Sequence, residues 1–397
     1  MTMTREEKVD RISGAFFGTA IGDALGAPVE SWTPHEISAK LGCVTGYLDS
    51  TEGMNAHKLK RGEWTDDTLM ALALARGLIK ATASDPNTRE IVWQADWREK
   101  LVHLVVEEHL ADWKTNPKNS CYGKATREAL QALKRGVPWR KSGSPKSPGN
   151  GVAMRIAPAG LWFSEIARQT SNVGDGDARL IAEDKDERCE AEQFFFNLMR
   201  LVHDLGFITH QGKNALSCGV LQAYLAHKFY RSELMISPKN WNELVWKELC
   251  RATELLVEVL DCGTELVAML RSAKHKGKWR PYRDIIAGIG SGFTAIQSCA
   301  LAWTAAIMHA DDLKLGILAA VNSGGDADTV GAMAGALLGA RHGFAKIQKT
   351  GWVEGLDKRE EILETANLFA LAILSGSITL GGETPTCHRG LTSLKGE

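Results

Sequence analysis

The stretch VDRISGAFFGTAIGDALG, residues 9–26, decides the fold class. Val9, Ile12, Phe16 and Ala20 recur at spacings of three and four, the period at which a helix buries one face. Gly14, Gly18, Gly22 and Gly26 recur at every fourth position of the same segment, so the predicted helix carries a ridge of small residues suited to close packing. Asp23 continues its apolar face. The same periodicity returns over residues 68–80, 91–113, 125–135, 192–205, 212–229, 241–260, 292–308 and 329–343, and sustained alternation of period two is hard to find. The expected fold is all-α, a single large orthogonal helical domain over residues 5–375 with a C-terminal tail at 376–397.

Composition bounds what such a domain does. With 47 Lys and Arg against 48 Asp and Glu, the net charge of −1 supplies no global field for nucleic acid or an anionic membrane, so neither is an expected partner. A hydrophobic content of 44% and 24% charged residues are those of an ordinary globular protein. The 8 cysteines contain no C-x-x-C pair, and the mixed charges of the first residues do not make a secretory leader, so a reducing, cytoplasmic setting is expected. Residues 285–310 carry no Asp, Glu, Lys or Arg and are long enough to span a bilayer. Their first half is rich in Gly, Ser and Thr, and a buried helix of a soluble core is the expectation. Residues 141–151 (KSGSPKSPGNG) read as a loop, the acidic stretch 175–192 as a break between helices, and the basic run 271–283 (RSAKHKGKWRPYR) as a solvated connection.

Two clusters carry chemistry. Gly62-Glu-Trp-Thr-Asp-Asp-Thr68 precedes a helical pattern, and its adjacent carboxylates Asp66 and Asp67 repel unless a cation or a helix N-terminus sits between them. Thr65 as an N-cap with two acids in the first turn is the purely structural alternative. Ser323-Gly-Gly-Asp-Ala-Asp-Thr329 enters another helix, with Gly331, Gly335 and Gly339 behind it. Asp326 and Asp328 supply hard oxygens and Thr329 a neutral one, a set suited to magnesium or manganese. Leu337 at the twelfth position from Asp326 excludes an EF-hand. If the two helix starts converge, their carboxylates and hydroxyls form a binuclear metal site between helix N-termini. Asp23 and Glu30 in GDALGAPVE, the exposed amides of Gly149-Asn-Gly151, and Thr209-His210 are further candidates.

Taken in order, these blocks resemble the ADP-ribosylglycohydrolase family, which includes the dinitrogenase reductase-activating glycohydrolase and the eukaryotic ADP-ribosylhydrolases. The matching segments are GAFFGTAIGDALGAPVE (14–30), GEWTDDT (62–68), GNGVAMRIAP (149–158), THQGKNA (209–215), GSGF (290–293) and GGDADTVGAMAGALLGA (324–340). The resemblance implies two Mg2+ or Mn2+ ions held by Thr65, Asp66, Asp67, Asp326, Asp328 and Thr329, with Glu30, Asp67 and Asp328 in catalytic roles. It implies a diphosphate and ribose loop at Gly149, Asn150, Gly151 and Met154, a ribose-side His210, and Phe293 beside Gly292 as the aromatic for the nucleoside. Pro148 and Trp64 depart from the residues that relatives often carry there, which bears on substrate preference.

The activity so implied is removal of ADP-ribose from a modified protein side chain, with free ADP-ribose as product. An N-glycosidic link to arginine is the expected substrate, and an O-glycosidic link to serine is the alternative. Such an enzyme either reverses a regulatory modification or gives immunity to an ADP-ribosylating toxin. A catalytically inactive ADP-ribose binder is disfavoured because both clusters are intact. A D-x-D-x-V phosphatase at Asp326 lacks the α/β domain that chemistry needs, and a dinucleotide fold at Gly290 lacks βαβ alternation. The segments expected to choose the modified side chain are 171–191 and 271–283.

Overall fold

The computed structural model describes residues 3–49, 59–83, 95–115, 121–167, 178–232, 241–260, 263–276, 278–290 and 292–374. The chain is all-α. Among the described residues, its named strands are confined to the short antiparallel hairpin of Lys274–His275 and Lys278–Trp279. The expected tail at 376–397 lies outside the described residues, as do 171–177 and the first four positions of the 91–113 pattern.

The centre of the molecule is the packing of the N-terminal helix, Arg5–Gly26, against the helix Ala327–His342. The first starts at a capping box: Glu7 N–H donates to Thr4 Oγ at 3.2 Å, and Thr4 N–H donates to the Glu7 carboxylate at 2.7 Å. It ends at Ala27–Val29, a single 3-10 turn in which Pro28 cannot continue the helical ladder. Every residue from Arg11 to Gly26 is buried. The two glycine ridges face each other antiparallel, Gly14 against Gly339, Gly18 against Gly335 and Gly22 against Gly331. A Cβ added to any of them would overlap the opposing backbone, so only glycine allows this approach. The consequence for function is positional: the C-terminal end of one helix, with Asp23, abuts the N-terminal end of the other, with Asp326 and Asp328.

By length and composition the N-terminal helix could cross a membrane, but its apolar window is 100% buried within the protein. Residues 285–310 form no single span. They divide into the helices Tyr282–Ile289 and Ala295–Met308, the second almost wholly buried, around a turn that carries Phe293.

Three sequence expectations change. The helix expected over 192–205 runs from Lys185 to Phe207, starting inside the acidic stretch. Asp184 caps it by accepting from Glu187 N–H at 2.8 Å, and acids in a first turn complement the helix dipole. The run 271–283 keeps most of its basic residues exposed, as expected, but is also anchored: Trp279 packs on Trp246 with ring centroids 4.6 Å apart, Lys274 lies over Trp279, and Arg271 pairs with Glu254 at 2.9 Å. The helices Ala157–Ile166 and Arg359–Leu374 are additional elements beyond the expected ones, the second with a period of its own in Ile362, Ala366, Phe369 and Ile373. The first is buried on every side, so no polar face marks its period.

Candidate active site

The helix Asp66–Ala83 begins against the end of the N-terminal helix, and Asp23 governs how. The Asp23 carboxylate accepts from Thr65 N–H at 3.0 Å, Thr65 Oγ at 2.9 Å, Thr68 N–H at 3.0 Å and Thr68 Oγ at 2.6 Å. A residue from a different helix therefore caps this one. Thr65 is not its own helix's N-cap acceptor: its hydroxyl lies 2.9 Å from Asp23 and 3.2 Å from Asp67 Oδ2. Asp66 and Asp67 are left free of capping duty and point into one cavity.

The second cluster is set by two consecutive left-handed glycines, Gly324 (φ 69°) and Gly325 (φ 67°), a backbone path closed to most side chains. Ser31 N–H donates to Gly325 C=O at 2.6 Å and Gly325 N–H to Trp32 C=O at 2.7 Å, so the Glu30 loop is fastened to the loop that precedes Asp326. Asp326 occupies the N-cap position of Ala327–His342, yet its side chain does not cap it. It turns instead to the Asn150 amide, which donates to Asp326 Oδ2 and, at 2.9 Å, to Ser298 Oγ.

These elements enclose a cavity of about 280 Å³. Glu30, Thr65, Asp66, Asp67, Asp326, Asp328 and Thr329 line it together with Gly149, Asn150, Gly151, Met154, His210 and Phe293. Phe293 is 48% exposed, its side chain on the cavity wall rather than in the core. Of the sequence candidates Asp23, Thr209 and Gly292 do not reach the wall: Asp23 and Thr209 stand behind Thr65 and His210, which do, and Gly292 lies in the turn before Phe293. The Gln297 side chain occupies the space a Cβ there would need, and the Gly292 carbonyl lies 3.3 Å from Ser298 Oγ, so this glycine shapes the turn behind Phe293. Asn150 lines the cavity with its amide nitrogen already committed to Asp326 and Ser298, a holding role for the acid rather than an open donor.

Trp64 faces away from the cavity, its indole N–H donating to Asp357 C=O at 2.9 Å. The described parts of 171–191 and 271–283 contribute no wall residue, whereas Cys121, Gly123, Lys124, Ala125, Thr126 and Ser147 do. No motif marks 121–126, and only the fold brings it to the opening.

Burial and mutual repulsion dominate the electrostatics of the acidic cluster. Burial first, then neighbouring carboxylates, push Asp66, Asp67 and Asp328 well above the ordinary carboxylate value. Burial with Asp326 and Asp23 pushes Glu30 up to about 7. Burial also raises Asp326 and Asp23, against the hydrogen bonds from Asn150 and from Thr68 and Thr65 that lower them. Asp67 Oδ1 is buried without a hydrogen-bond partner among the described residues. Carboxylate oxygens of Asp23, Asp67 and Asp328 lie within 4.8 Å of one another, as do those of Glu30, Asp326 and Asp328. Hard, anionic, clustered and partly orphaned oxygens are a donor set that fits divalent cations.

A glycine-zipped helical core whose paired acidic helix starts open into a cavity with a glycine loop, a histidine and an aromatic defines a class. A sequence model of the ADP-ribosylglycohydrolase family matches residues 4–377, and the chain belongs to that family of hydrolases. It is 29% identical over 374 residues to ADP-ribosylarginine hydrolase Tri1 of Serratia proteamaculans, spanning 92% of this chain and 81% of that protein. To the ADP-ribosyl-[dinitrogen reductase] glycohydrolase of Rhodospirillum rubrum it is 26% identical, covering 94% and 99% of the two chains. A solved structure titled ADP-ribosylglycohydrolase-related protein complex superposes with a TM-score of 0.58 at 25% identity, covering 93% of this chain and 99% of that one.

Proposed function

We propose that the protein is a metal-dependent hydrolase that removes ADP-ribose from modified arginine side chains. The observation that carries this reading is that one cavity is lined both by the acidic cluster and by a glycine loop, an imidazole and an aromatic ring. Thr65, Asp66, Asp67, Asp326, Asp328 and Thr329 would hold two Mg2+ or Mn2+ ions. Bound there, such ions supply orientation of the ribose hydroxyls and acidification of water. Support for arginine comes from the similarity to Tri1 proteins of Serratia proteamaculans and Pseudomonas putida, both named ADP-ribosylarginine hydrolases.

The chain's own groups then divide the work. Amides of the Gly149–Gly151 loop receive the diphosphate, and Phe293 covers the nucleoside. Asn150 holds the Asp326 carboxylate in place and Asp23 holds Thr65. Glu30, fastened to the Gly325 loop through Ser31, orients the attacking water at the anomeric carbon. The bond from that carbon to the arginine nitrogen breaks through an oxocarbenium-like state, water supplies the new oxygen, and free ADP-ribose and arginine leave. The setting we propose is reducing and cytoplasmic, on the sequence ground alone that the 8 cysteines contain no C-x-x-C pair.

Mass spectrometry of model peptides ADP-ribosylated on arginine, serine or glutamate, treated with Mg2+ or with a chelator, tests this. The arginine peptide is expected to lose its ADP-ribose only with Mg2+. Release from serine alone reassigns the linkage, and release from none overturns the reading.

A further inference from the structure

His210 is 3% exposed and lines the cavity above Gly151, yet its two ring nitrogens have unlike surroundings. Nδ1 lies 2.9 Å from Thr209 Oγ, and Nε2 makes no hydrogen bond within the protein among the described residues. Behind Thr209 stands Arg155, 1% exposed, whose guanidinium donates to Thr209 Oγ at 2.7 Å and also to the carbonyl of Gly151. Arginine can only donate. The Thr209 oxygen is therefore an acceptor toward Arg155, and its own hydrogen needs a separate acceptor. Nδ1 is the one within reach, because the hydroxyl makes no other contact among the described residues. A buried hydroxyl hydrogen without an acceptor is costly, so the chain of donors has one direction.

We infer that Thr209, set by Arg155, fixes His210 as the tautomer protonated at Nε2, so that a neutral imidazole presents an N–H donor to the cavity. Resting on the proposed function, that donor meets a ribose or diphosphate oxygen of ADP-ribose, and Thr209 and Arg155 are positioning residues that never touch the ligand. Toward a diphosphate or ribose ring oxygen, which can only accept, the reverse tautomer would turn a lone pair and repel it. Two features keep the ring neutral: burial, and the Arg155 guanidinium on the same side. Together they push its pKa down to about 3. Arg155 also ties the Gly151 carbonyl to the same network, so the histidine and the glycine loop share one register.

The test is long-range ¹H–¹⁵N correlation of the histidine rings in the intact protein without ligand. His210 is expected to show a protonated Nε2 and an unprotonated Nδ1, with ring signals that do not titrate between about pH 5 and 8. A ring protonated at Nδ1, or doubly protonated near pH 6, overturns the inference without any variant. Thr209→Val keeps the side-chain shape and removes the hydroxyl. It should mix the two tautomers and weaken ADP-ribose binding about tenfold, and Thr209→Ser should restore both. Unchanged ring signals in Thr209→Val also overturn it. If the tautomer is as inferred and ADP-ribose binds neither protein, the proposed function fails and the tautomer assignment stands.

Discussion

Asp328 shows how one carboxylate is placed where it destabilises the metal-free protein. It is 5% exposed and faces Glu30, Asp326, Asp67 and Asp23. A carboxylate raised in the folded state holds a proton that the unfolded chain releases above its ordinary value, so that part of the stability is lost as pH rises. With chelator present, the melting temperature should fall between about pH 4 and pH 7, and Asp328→Asn should flatten that slope and raise the melting point by a few degrees. A slope identical in the variant contradicts this. Saturating Mg2+ at a hundredfold excess over its Kd should stabilise the native chain by about 2.7 kcal/mol for each ion bound and the variant by less. Glu30→Gln keeps its shape in the loop fastened to Gly325, so turnover should fall while the melting temperature changes little; a large stability loss with normal activity would make Glu30 structural.

At the scale of elements, the glycine ridges set the register on which the site depends. Gly18→Leu or Gly335→Leu drives a side chain into the opposing backbone, with an expected cost of several kcal/mol, seen as a lowered urea midpoint and lost Mg2+ binding. A variant that binds Mg2+ with native affinity would show that the helix contact does not position the clusters. Each ridge is plain in the sequence, because a four-residue glycine period survives in any reading. Their pairing is not, since nothing local says which helix a ridge meets. The same limit hides Asp23, legible as a buried acid but not as the cap of another helix. Residues 121–126 reach the cavity only through tertiary placement. Motif residues were legible as a set because their types match hard cations and phosphates. Asn150 also holds Asp326 and Gly292 makes room for Gln297, roles the sequence hides because a motif names positions and not the direction of a side chain.

At the scale of the whole molecule, the chain is a helical scaffold in which elements from residues 23 to 329 converge on one cavity. Helix periodicity and turn chemistry told the class of this fold, while helices buried on all sides, such as Ala157–Ile166, left no period to read. The central claim is that the two Asp/Thr clusters hold a pair of divalent ions facing ADP-ribose. Anomalous diffraction from crystals grown with Mn2+ and ADP-ribose tests it most directly. The account predicts two manganese peaks, both among the carboxylates of Glu30, Asp66, Asp67, Asp326 and Asp328, with the ribose toward them and the adenine toward Phe293. No peak at either cluster, or ADP-ribose bound away from this cavity, would contradict it.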